Sequence, residues 1–483
     1  MLKLVLGASG SGKTTLLYAR IRARAEAGKR SILLVPEQFT SSTEARIYRE
    51  LGDALSGMVE SYSFTSLAEH ILAVEGGAAV QTLTDAGRAV LVRRALEELQ
   101  DNVHYYYRHR RSAAFCQMAA ETIDELKSAG LSGQQLQELA RDCGSESAKL
   151  GELALIFQGY ESLLAGTGMD PADRLELAAD RLEAALARDE LPDFLREREV
   201  FIDEFDTFNA PKKRLMGAML AALPAVTVAL CEDGAPMQPG DLELFSGAKQ
   251  VAAQLRQLAR KNGAQVAAPE LLRRDLRHKD APGLAALTEL LETGSCTPPE
   301  SAPELRLFAA ASREEEARCA AAAIRRLMRQ GVRCGKIAVV CRDISLYRAA
   351  VRYEFRMAEI PLYCDEPTTP EFSAPATAVR ALLALLRGAD MTEQLTVLAK
   401  TGLCDLTEPE VCALENYAYT WSPNAAAWRA EFTKSPRGFG DAELTEEDTL
   451  NLTRAENARK KLVTAVDTLR SKVRSANAEQ ISR

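Results

Sequence analysis

MLKLVLGASGSGKTTLL, residues 1–17, is the stretch that decides the fold. Leu2 to Leu6 predict a buried strand, and the run that begins at Thr14 has apolar residues at the spacing of a helix. Between them, Gly7 to Thr14 match the pattern G-x-x-x-x-G-K-[ST] in full. A strand, a glycine-rich loop and a helix in this order are typical of a site that holds nucleotide phosphates.

The residue types of this loop suit phosphate chemistry. Glycines let backbone N–H groups point at the phosphates, and the start of the following helix favours negative charge. Lys13 is the residue that reaches the β- and γ-phosphate oxygens, and Thr14 is a predicted Mg²⁺ ligand. The alternative is a relic loop that has lost its affinity. The predicted ATP-binding residues are Gly7, Ala8, Ser9, Gly10, Ser11, Gly12, Lys13 and Thr14.

A second part of such a site follows another apolar run, in VFIDEFDTF at residues 200–208. Asp203 is predicted to bind Mg²⁺, and Glu204 beside it is the candidate base that polarises an attacking water. The alternative is that two acids after an apolar strand form a solvated turn. The glycine-rich loop upstream favours the site.

Four more stretches predict the rest of the fold. SILLVPEQF, EREVFIDEF and AVTVALCED predict buried strands, and MVESYSFTSLAEHIL begins extended and turns helical near Thr65. Strands that alternate with helices indicate an α/β fold with a parallel sheet. Amphipathic patterns between residues 82 and 198 predict an all-α insertion. Beyond a Pro- and Gly-rich boundary, ELRLFAAAS and KIAVVCRD flank a helical pattern and predict a second α/β unit, followed by helices.

Composition excludes several classes. The 483 residues carry a net charge of −8, so the chain is not a polycationic nucleic-acid coat. The ten cysteines are scattered without a C-x-x-C pair, which favours reduced thiols in a cytoplasmic protein. No run approaches the roughly 18 apolar residues of a membrane span. HYYYRHRR at residues 104–111 mixes aromatic and basic side chains, which predicts either a nucleic-acid contact or an ordinary surface loop.

Taken in order, these motifs resemble a superfamily 1 helicase of the UvrD-like type. The segment at Ser63 to Ser66, the IDEF at residues 202–205 and the stretch from Lys336 to Glu366 match its motifs in kind. VPEQFTSSTE at residues 35–44, LAKTGLCDL and EVCALENYAYTW are more specific, and resemble the B-subunit family of the AddAB (RexAB-like) ATP-dependent helicase-deoxyribonucleases.

The resemblance implies two P-loop NTPase (RecA-like) domains with all-α insertions. Residues 1–81 and 199–261 would form domain 1A, 82–198 insertion 1B, 262–303 a linker, 304–380 the first part of domain 2A, and 381–483 an incomplete insertion 2B.

The resemblance also implies ATP and Mg²⁺ as cofactors and a heterodimer with an A-type motor subunit. The implied partners are DNA double-strand break ends and single-stranded DNA, with Chi-type sequence scanning. Arg342 would lie near the γ-phosphate and act with Lys13 and Glu204. The DNA-facing candidates that it implies are Gln38, Phe39, Thr40, Tyr62, Phe64 and Thr65.

Departures from the family pattern limit these expectations. The nuclease carboxylates and iron-sulfur cysteines are not visible, so the nuclease domain is expected outside this chain. The glutamine motif that grips adenine is missing, and Gln238 is the only trace of a sensor motif. Turnover by this chain alone is therefore expected to be slight. Two alternatives stay open: a nucleotide-binding scaffold without turnover, and a stand-alone P-loop ATPase or kinase.

Overall fold

The computed structural model describes residues 1–77, 81–236, 244–364, 372–440 and 443–475. The chain divides into two compact units, Met1–Leu307 and Phe308–Arg483. Among the residues described, no helix is long and apolar enough to cross a membrane. All ten cysteines are free thiols, as the sequence predicted.

The first unit is built on a six-stranded sheet in which all paired strands are parallel, in the order β3-β2-β4-β5-β1-β6. The predicted α/β fold with a parallel sheet is therefore confirmed, as are its first five strands. The strands are β1 (Leu2–Gly7), β2 (Ser31–Leu34), β3 (Val59–Tyr62), β4 (Glu199–Ile202), β5 (Ala225–Cys231) and β6 (Glu270–Leu272).

Helices cover both faces of this sheet, which explains why its strands are apolar runs without alternation. On one face, Leu4 and Ile32 belong to a core completed by helices α4 and α9 to α11. On the other face, Val5 and Leu33 pack with α1 and α2. The helices are α1 (Lys13–Glu26), α2 (Thr40–Leu51), α3 (Asp53–Ser56), α4 (Phe64–Glu75), α5 (Asp85–Glu98), α6 (Ala113–Ala129), α7 (Gly133–Ala140), α8 (Ser147–Leu164), α9 (Pro171–Ala187), α10 (Ala210–Ala222), α11 (Ser246–Lys261) and α12 (Pro282–Thr293).

The helical stretch between β3 and β4 serves two cores. Helices α5, α6 and α8 enclose a core of their own that includes Val92, Ile123 and Phe157. Helix α9 instead contributes Leu175 and Leu182 to the core under the sheet. The predicted helical insertion is thus attached to the sheet through its last helix.

Residues 262–303 correct the prediction of a linker, because they hold β6 and α12. Strand β6 pairs with β1, with Val5 opposite Glu270 and Gly7 opposite Leu272. Little in the residue pattern signals this strand, since an edge strand of three residues is held by backbone hydrogen bonds and shows no apolar period.

The second unit is helical in the described residues. One core holds α13 against α14, and a larger one joins α15 to α19 around Trp428. The helices are α13 (Arg313–Arg329), α14 (Ile344–Met357), α15 (Ala374–Leu386), α16 (Met391–Ala399), α17 (Glu408–Trp421), α18 (Ala425–Arg429) and α19 (Glu446–Ser475).

The strands predicted at ELRLFAAAS and KIAVVCRD are wrong for the structure described. Neither stretch belongs to a β-ladder, and Leu307 and Val340 are 99% and 90% exposed. An apolar run favours extended backbone, but a strand also requires a hydrogen-bonded neighbour. No such neighbour lies among the described residues of the second unit.

A buried ionic cluster joins three helices of the insertion. The Lys127 ammonium of α6 is 2.8 Å from Asp170 Oδ2 and 2.9 Å from Asp173 Oδ2. Tyr160 of α8 donates a hydrogen bond of 2.6 Å to Asp170 Oδ1. Burial would lower the pKa of Lys127, but the bonds to the two carboxylates outweigh it and raise that pKa. The charged Lys127 and its carboxylate partners therefore stabilise the fold at neutral pH. This contribution is lost when the pH rises through the folded-state pKa of Lys127.

We predict that Lys127→Met lowers the free energy of unfolding by about 3–5 kcal/mol, because it leaves the Asp170 carboxylate buried without its bound cation. Urea denaturation followed by circular dichroism measures the change. Lys29→Met is the control, since Lys29 is exposed and its removal should cost under about 0.5 kcal/mol. Equal midpoints for the two variants would contradict the assigned role of the cluster.

Candidate nucleotide site

The loop between β1 and α1 has the backbone that its glycines predicted. Gly10 and Gly12 have φ angles of +82° and +91°, a left-handed conformation that side-chain-bearing residues rarely adopt. A Cβ atom at Gly7 would lie 2.4 Å from Ser11 Oγ, so this position also has no room for a side chain. The Ser11 hydroxyl is buried and has no hydrogen-bond partner among the described residues. The loop thus encloses a small polar concavity.

Lys13 fills this concavity. Its ammonium donates hydrogen bonds of 2.7 Å to the Gly7 carbonyl and 2.8 Å to the Ala8 carbonyl. Burial lowers the pKa of Lys13, although the nearby Cys231 and Asp203 oppose that effect. A partly desolvated cation of this kind gains more from an incoming anion than an exposed lysine would.

The two predicted acids follow β4. Asp203 is buried and its N–H donates to the Leu34 carbonyl at 3.1 Å, which ties the end of β4 to the end of β2. The Glu204 N–H in turn donates to Asp203 Oδ1 at 3.0 Å. Burial, and then the charge of Asp203, raise the pKa of Glu204 above its usual value, while Arg46 opposes them. Glu204 therefore holds a proton more readily than an isolated glutamate.

Glu204 also has a strained backbone. Its φ angle is 65°, in the left-handed region that disfavours residues with a Cβ atom. A non-glycine residue there costs on the order of 1–3 kcal/mol, and such strain is concentrated at functional sites. Four other non-glycine residues share this left-handed backbone, so the role of the acidic pair stays a prediction.

One cleft of about 590 Å³ brings these parts together. Thr14 and Asp203, the predicted Mg²⁺ ligands, line it with Glu204. Mg²⁺ usually takes only one or two protein ligands and completes its shell with waters and substrate phosphates, so this pair fits the ion. No cluster of three or more metal-ligating acids, histidines or cysteines occurs among the described residues. The remaining lining residues are Tyr18, Leu33, Val35, Gln38, Phe39, Ser42, Thr43, Arg46, Arg49 and Asp206.

A segment that the sequence patterns did not reveal covers the glycine-rich loop. It follows β6, in the stretch expected to be a linker. The Leu276 N–H donates to the Gly10 carbonyl at 3.0 Å, and Arg277 Nη1 donates to Ser9 Oγ at 3.2 Å. Asp275 bends the segment by accepting from the N–H groups of Arg277 and His278 at 3.0 and 3.1 Å. The available signal was the basic run RRDLRHK directly after ELL.

The structure corrects one DNA-facing candidate. Phe64 is fully buried and packs edge-on against Phe205 and Phe208, so its ring belongs to the core beneath the sheet. Ser63 caps α4 and turns the chain so that Phe64 points inward while Thr65 stays exposed. The resemblance identified the segment but not the direction of each side chain.

The other candidates stay predictions. Gln38 is exposed, and Phe39 is half-buried against the α1 side of the sheet. The Thr65 hydroxyl donates to Glu37 Oε1 at 3.0 Å, which joins the segment after β2 to the segment after β3. Thr40 donates to the Glu37 carbonyl, and the Tyr62 hydroxyl donates to Glu60 Oε2 at 2.8 Å.

The cleft tests neither of two further predictions. Arg342 is exposed in the second unit, immediately before the residue that caps α14, so its place near a γ-phosphate is still only predicted. Gln238, the trace of a sensor motif, lies outside the described residues.

Comparison with known proteins agrees with the resemblance seen in the sequence. Residues 4–288 match the family described as "ADDB, N-terminal". Three similar proteins are named as the B-type subunits of ATP-dependent helicase/deoxyribonucleases. That of Desulforudis audaxviator is 32% identical over 444 residues, that of Moorella thermoacetica 31% over 443, and that of Clostridium perfringens 27% over 480.

These matches cover 88%, 89% and 96% of this chain, but only 37%, 38% and 41% of the respective relatives. The chain therefore spans about two fifths of the length of the curated relatives that it matches. The predicted resemblance to the B-subunit family is confirmed.

Gly10→Ala should abolish nucleotide binding, and Gly28→Ala should not. Both glycines have a left-handed backbone, so both substitutions should cost roughly 1–2 kcal/mol of stability. Only at Gly10 does the new Cβ meet other atoms, with Arg277 Cβ and Asp275 Oδ1 each at 2.9 Å, whereas Gly28 has nothing within 4 Å.

Equilibrium binding of a fluorescent ATP analogue, with denaturation midpoints measured in parallel, tests this pair. Unchanged nucleotide affinity in the folded Gly10→Ala variant would show that the loop and the segment over it do not form the phosphate site.

Proposed function

Since this chain belongs to the AddB N-terminal family, we propose that it forms the ATP-binding, helicase-like part of a DNA helicase/deoxyribonuclease subunit. The observation that carries the proposal is the single cleft in which Thr14, Asp203 and Glu204 meet beside the glycine-rich loop. Gln38 lines the same cleft, so the segment expected to follow DNA adjoins the acids expected to serve ATP. This adjacency is what coupling between nucleotide and DNA requires.

The finer proposal follows the family. The first unit acts as a P-loop, RecA-like domain 1A with a helical insertion 1B, and the second unit carries helices of domain 2A and insertion 2B. The complete subunit joins an A-type motor at DNA double-strand break ends, scans single-stranded DNA for a Chi-type sequence in the cytoplasm, and feeds homologous recombination.

The glycine-rich loop and the cleft beside it would hold different parts of Mg²⁺·ATP. Backbone N–H groups of Gly10 to Lys13 and the Lys13 ammonium would hold the phosphates, and Thr14 and Asp203 would hold the metal. Mg²⁺ supplies charge neutralisation on the phosphate oxygens when it is bound. Lys13 must exchange its bonds to the Gly7 and Ala8 carbonyls for bonds to phosphate, an exchange favoured by its partial desolvation.

Glu204 and Arg277 complete the proposed site. The pKa of Glu204 is raised toward neutral pH, and a carboxylate with such a pKa is better suited to accept a proton from water. Arg277 lies at the mouth of the loop through its bond to Ser9, where a guanidinium stabilises terminal phosphate charge. Arg277 is thus a candidate for the phosphate-facing arginine within the first unit.

A scaffold that binds nucleotide without turnover is the second candidate. It is favoured by the sequence, in which Gln238 is the only trace of the sensor motif expected of an active motor. Hydrolysis measurements separate this candidate from the first.

We predict that Lys13→Ala abolishes ATP binding, whereas Glu204→Gln retains binding and lowers turnover by about 10²–10⁴-fold, because only the second change spares the phosphate contacts. Calorimetric titration measures binding, and phosphate release with and without single-stranded DNA measures turnover. Lys29→Ala is the matched control.

Binding without turnover in the wild type would favour the scaffold. DNA-independent transfer of phosphate to a metabolite would favour the stand-alone kinase and contradict the helicase-like proposal.

Arg277→Ala should lower the affinity for ATP about tenfold or more and the affinity for ADP much less. A charge-assisted hydrogen bond to a terminal phosphate contributes about 1.5–3 kcal/mol, and ADP lacks that phosphate. Arg274→Ala carries the same charge change three residues away and serves as the control. Calorimetric titration with both nucleotides checks the difference. Equal losses for ATP and ADP would place Arg277 away from the terminal phosphate.

A further inference from the structure

The loop between α5 and α6 has no part in the nucleotide site. It is HYYYRHRR, from His104 to Arg111. We propose that this loop is a separate binding surface for single-stranded DNA, in which Tyr105 and Tyr107 stack on bases and Arg108 and Arg111 contact phosphates. The inference deepens the proposed function, on which it rests for the nature of the ligand.

Three side chains, spaced three residues apart, hold the underside of the loop. The ring of Tyr106 stacks on Phe115 of α6, with centroids 5.3 Å apart and an interplanar angle of 30°. The ring of His109 lies 5.7 Å from the same phenylalanine. Val103, just before the loop, is buried in the core of the insertion. Apolar packing beneath the loop therefore leaves its other side chains to face outward.

A carboxylate holds the backbone. Glu152 of α8 accepts hydrogen bonds from three consecutive N–H groups, at 2.8 Å from His104, 2.8 and 2.9 Å from Tyr105, and 3.1 Å from Tyr106. Three aligned N–H groups and a charged acceptor make strong bonds. The conformation is thus set before any ligand arrives, and binding loses less entropy to ordering.

The outward face pairs each exposed ring with a cation. Tyr105 is 54% exposed, with the Lys149 ammonium 5.3 Å from its ring centroid. Tyr107 is 38% exposed, with the Arg110 guanidinium 3.7 Å from its centroid. Rings accompanied by cations are what proteins use to stack the bases of single strands.

The charge of the loop also fits a polyanion. Residues 104–111 contain three arginines beside Tyr107 and no acid, in a chain whose net charge is −8. Arg108 and Arg111 are exposed and form no ion pair among the described residues, so their charges are available to phosphates. A single strand is favoured over a duplex because only unpaired bases offer their faces to Tyr105 and Tyr107.

The test measures binding of the whole chain, without nucleotide, to a fluorescein-labelled oligo-dT and to a blunt hairpin duplex by anisotropy. Tyr105→Ala/Tyr107→Ala should weaken oligo-dT binding about tenfold or more, and Tyr105→Phe/Tyr107→Phe should retain it, because phenylalanine keeps the stacking ring. Arg108→Ala/Arg111→Ala should lower the slope of log affinity against log salt by about 1.4, at about 0.7 for each phosphate contact.

Arg93→Ala/Arg94→Ala is the control, because these exposed arginines of α5 are paired with Glu97 and Glu98. It should bind DNA as the wild type does. A Tyr105/Tyr107 alanine variant that binds oligo-dT as well as the wild type, or that loses oligo-dT and hairpin binding equally, overturns this inference alone, as does an arginine variant with an unchanged salt slope. A wild-type chain that binds no oligonucleotide overturns both this inference and the proposed DNA function.

Discussion

The pairing of β1 with a neighbour on each side is the constraint on which the candidate nucleotide site depends. Gly7 lies opposite Cys231 on β5 and opposite Leu272 on β6, so three parallel strands end at the point where the loop begins. The carboxyl ends of parallel strands are where α/β folds place ligands. Arg277 meets Ser9 because β6 ends beside β1, and the charge of Asp203 approaches Lys13 because β4, which Asp203 follows, is joined to β1 through β5.

The sequence was sufficient where apolar runs and local rules act together. The five longer strands, the capped start of α4 and the major helices of the insertion were predictable, because burial on both faces and helical spacing leave clear patterns. The motif at Gly7 to Thr14 was equally clear, since its backbone angles admit few residues other than glycine.

The features that could not be predicted from the sequence depend on contacts between residues that are far apart in the chain. Strand β6 is visible only through its bonds to β1, and the contact of Arg277 with Ser9 joins residues 268 positions apart. The burial of Phe64 could not be predicted, because it depends on contacts with Phe205 and Phe208, which follow the helical insertion in the sequence. The two apolar stretches of the second unit show the opposite error, where a strand-like composition lacks a neighbour to pair with among the residues described.

The left-handed backbone at Glu204 has an evolutionary consequence. A glycine there would relax the conformation and make the folded chain more stable, but it would remove the carboxylate beside Asp203. Stability and chemistry therefore select different residues at this one position. Under the proposed function, a lineage that no longer required ATP turnover by this subunit would be free to drift toward glycine, so the residue found at position 204 would mark whether selection still maintains hydrolysis there.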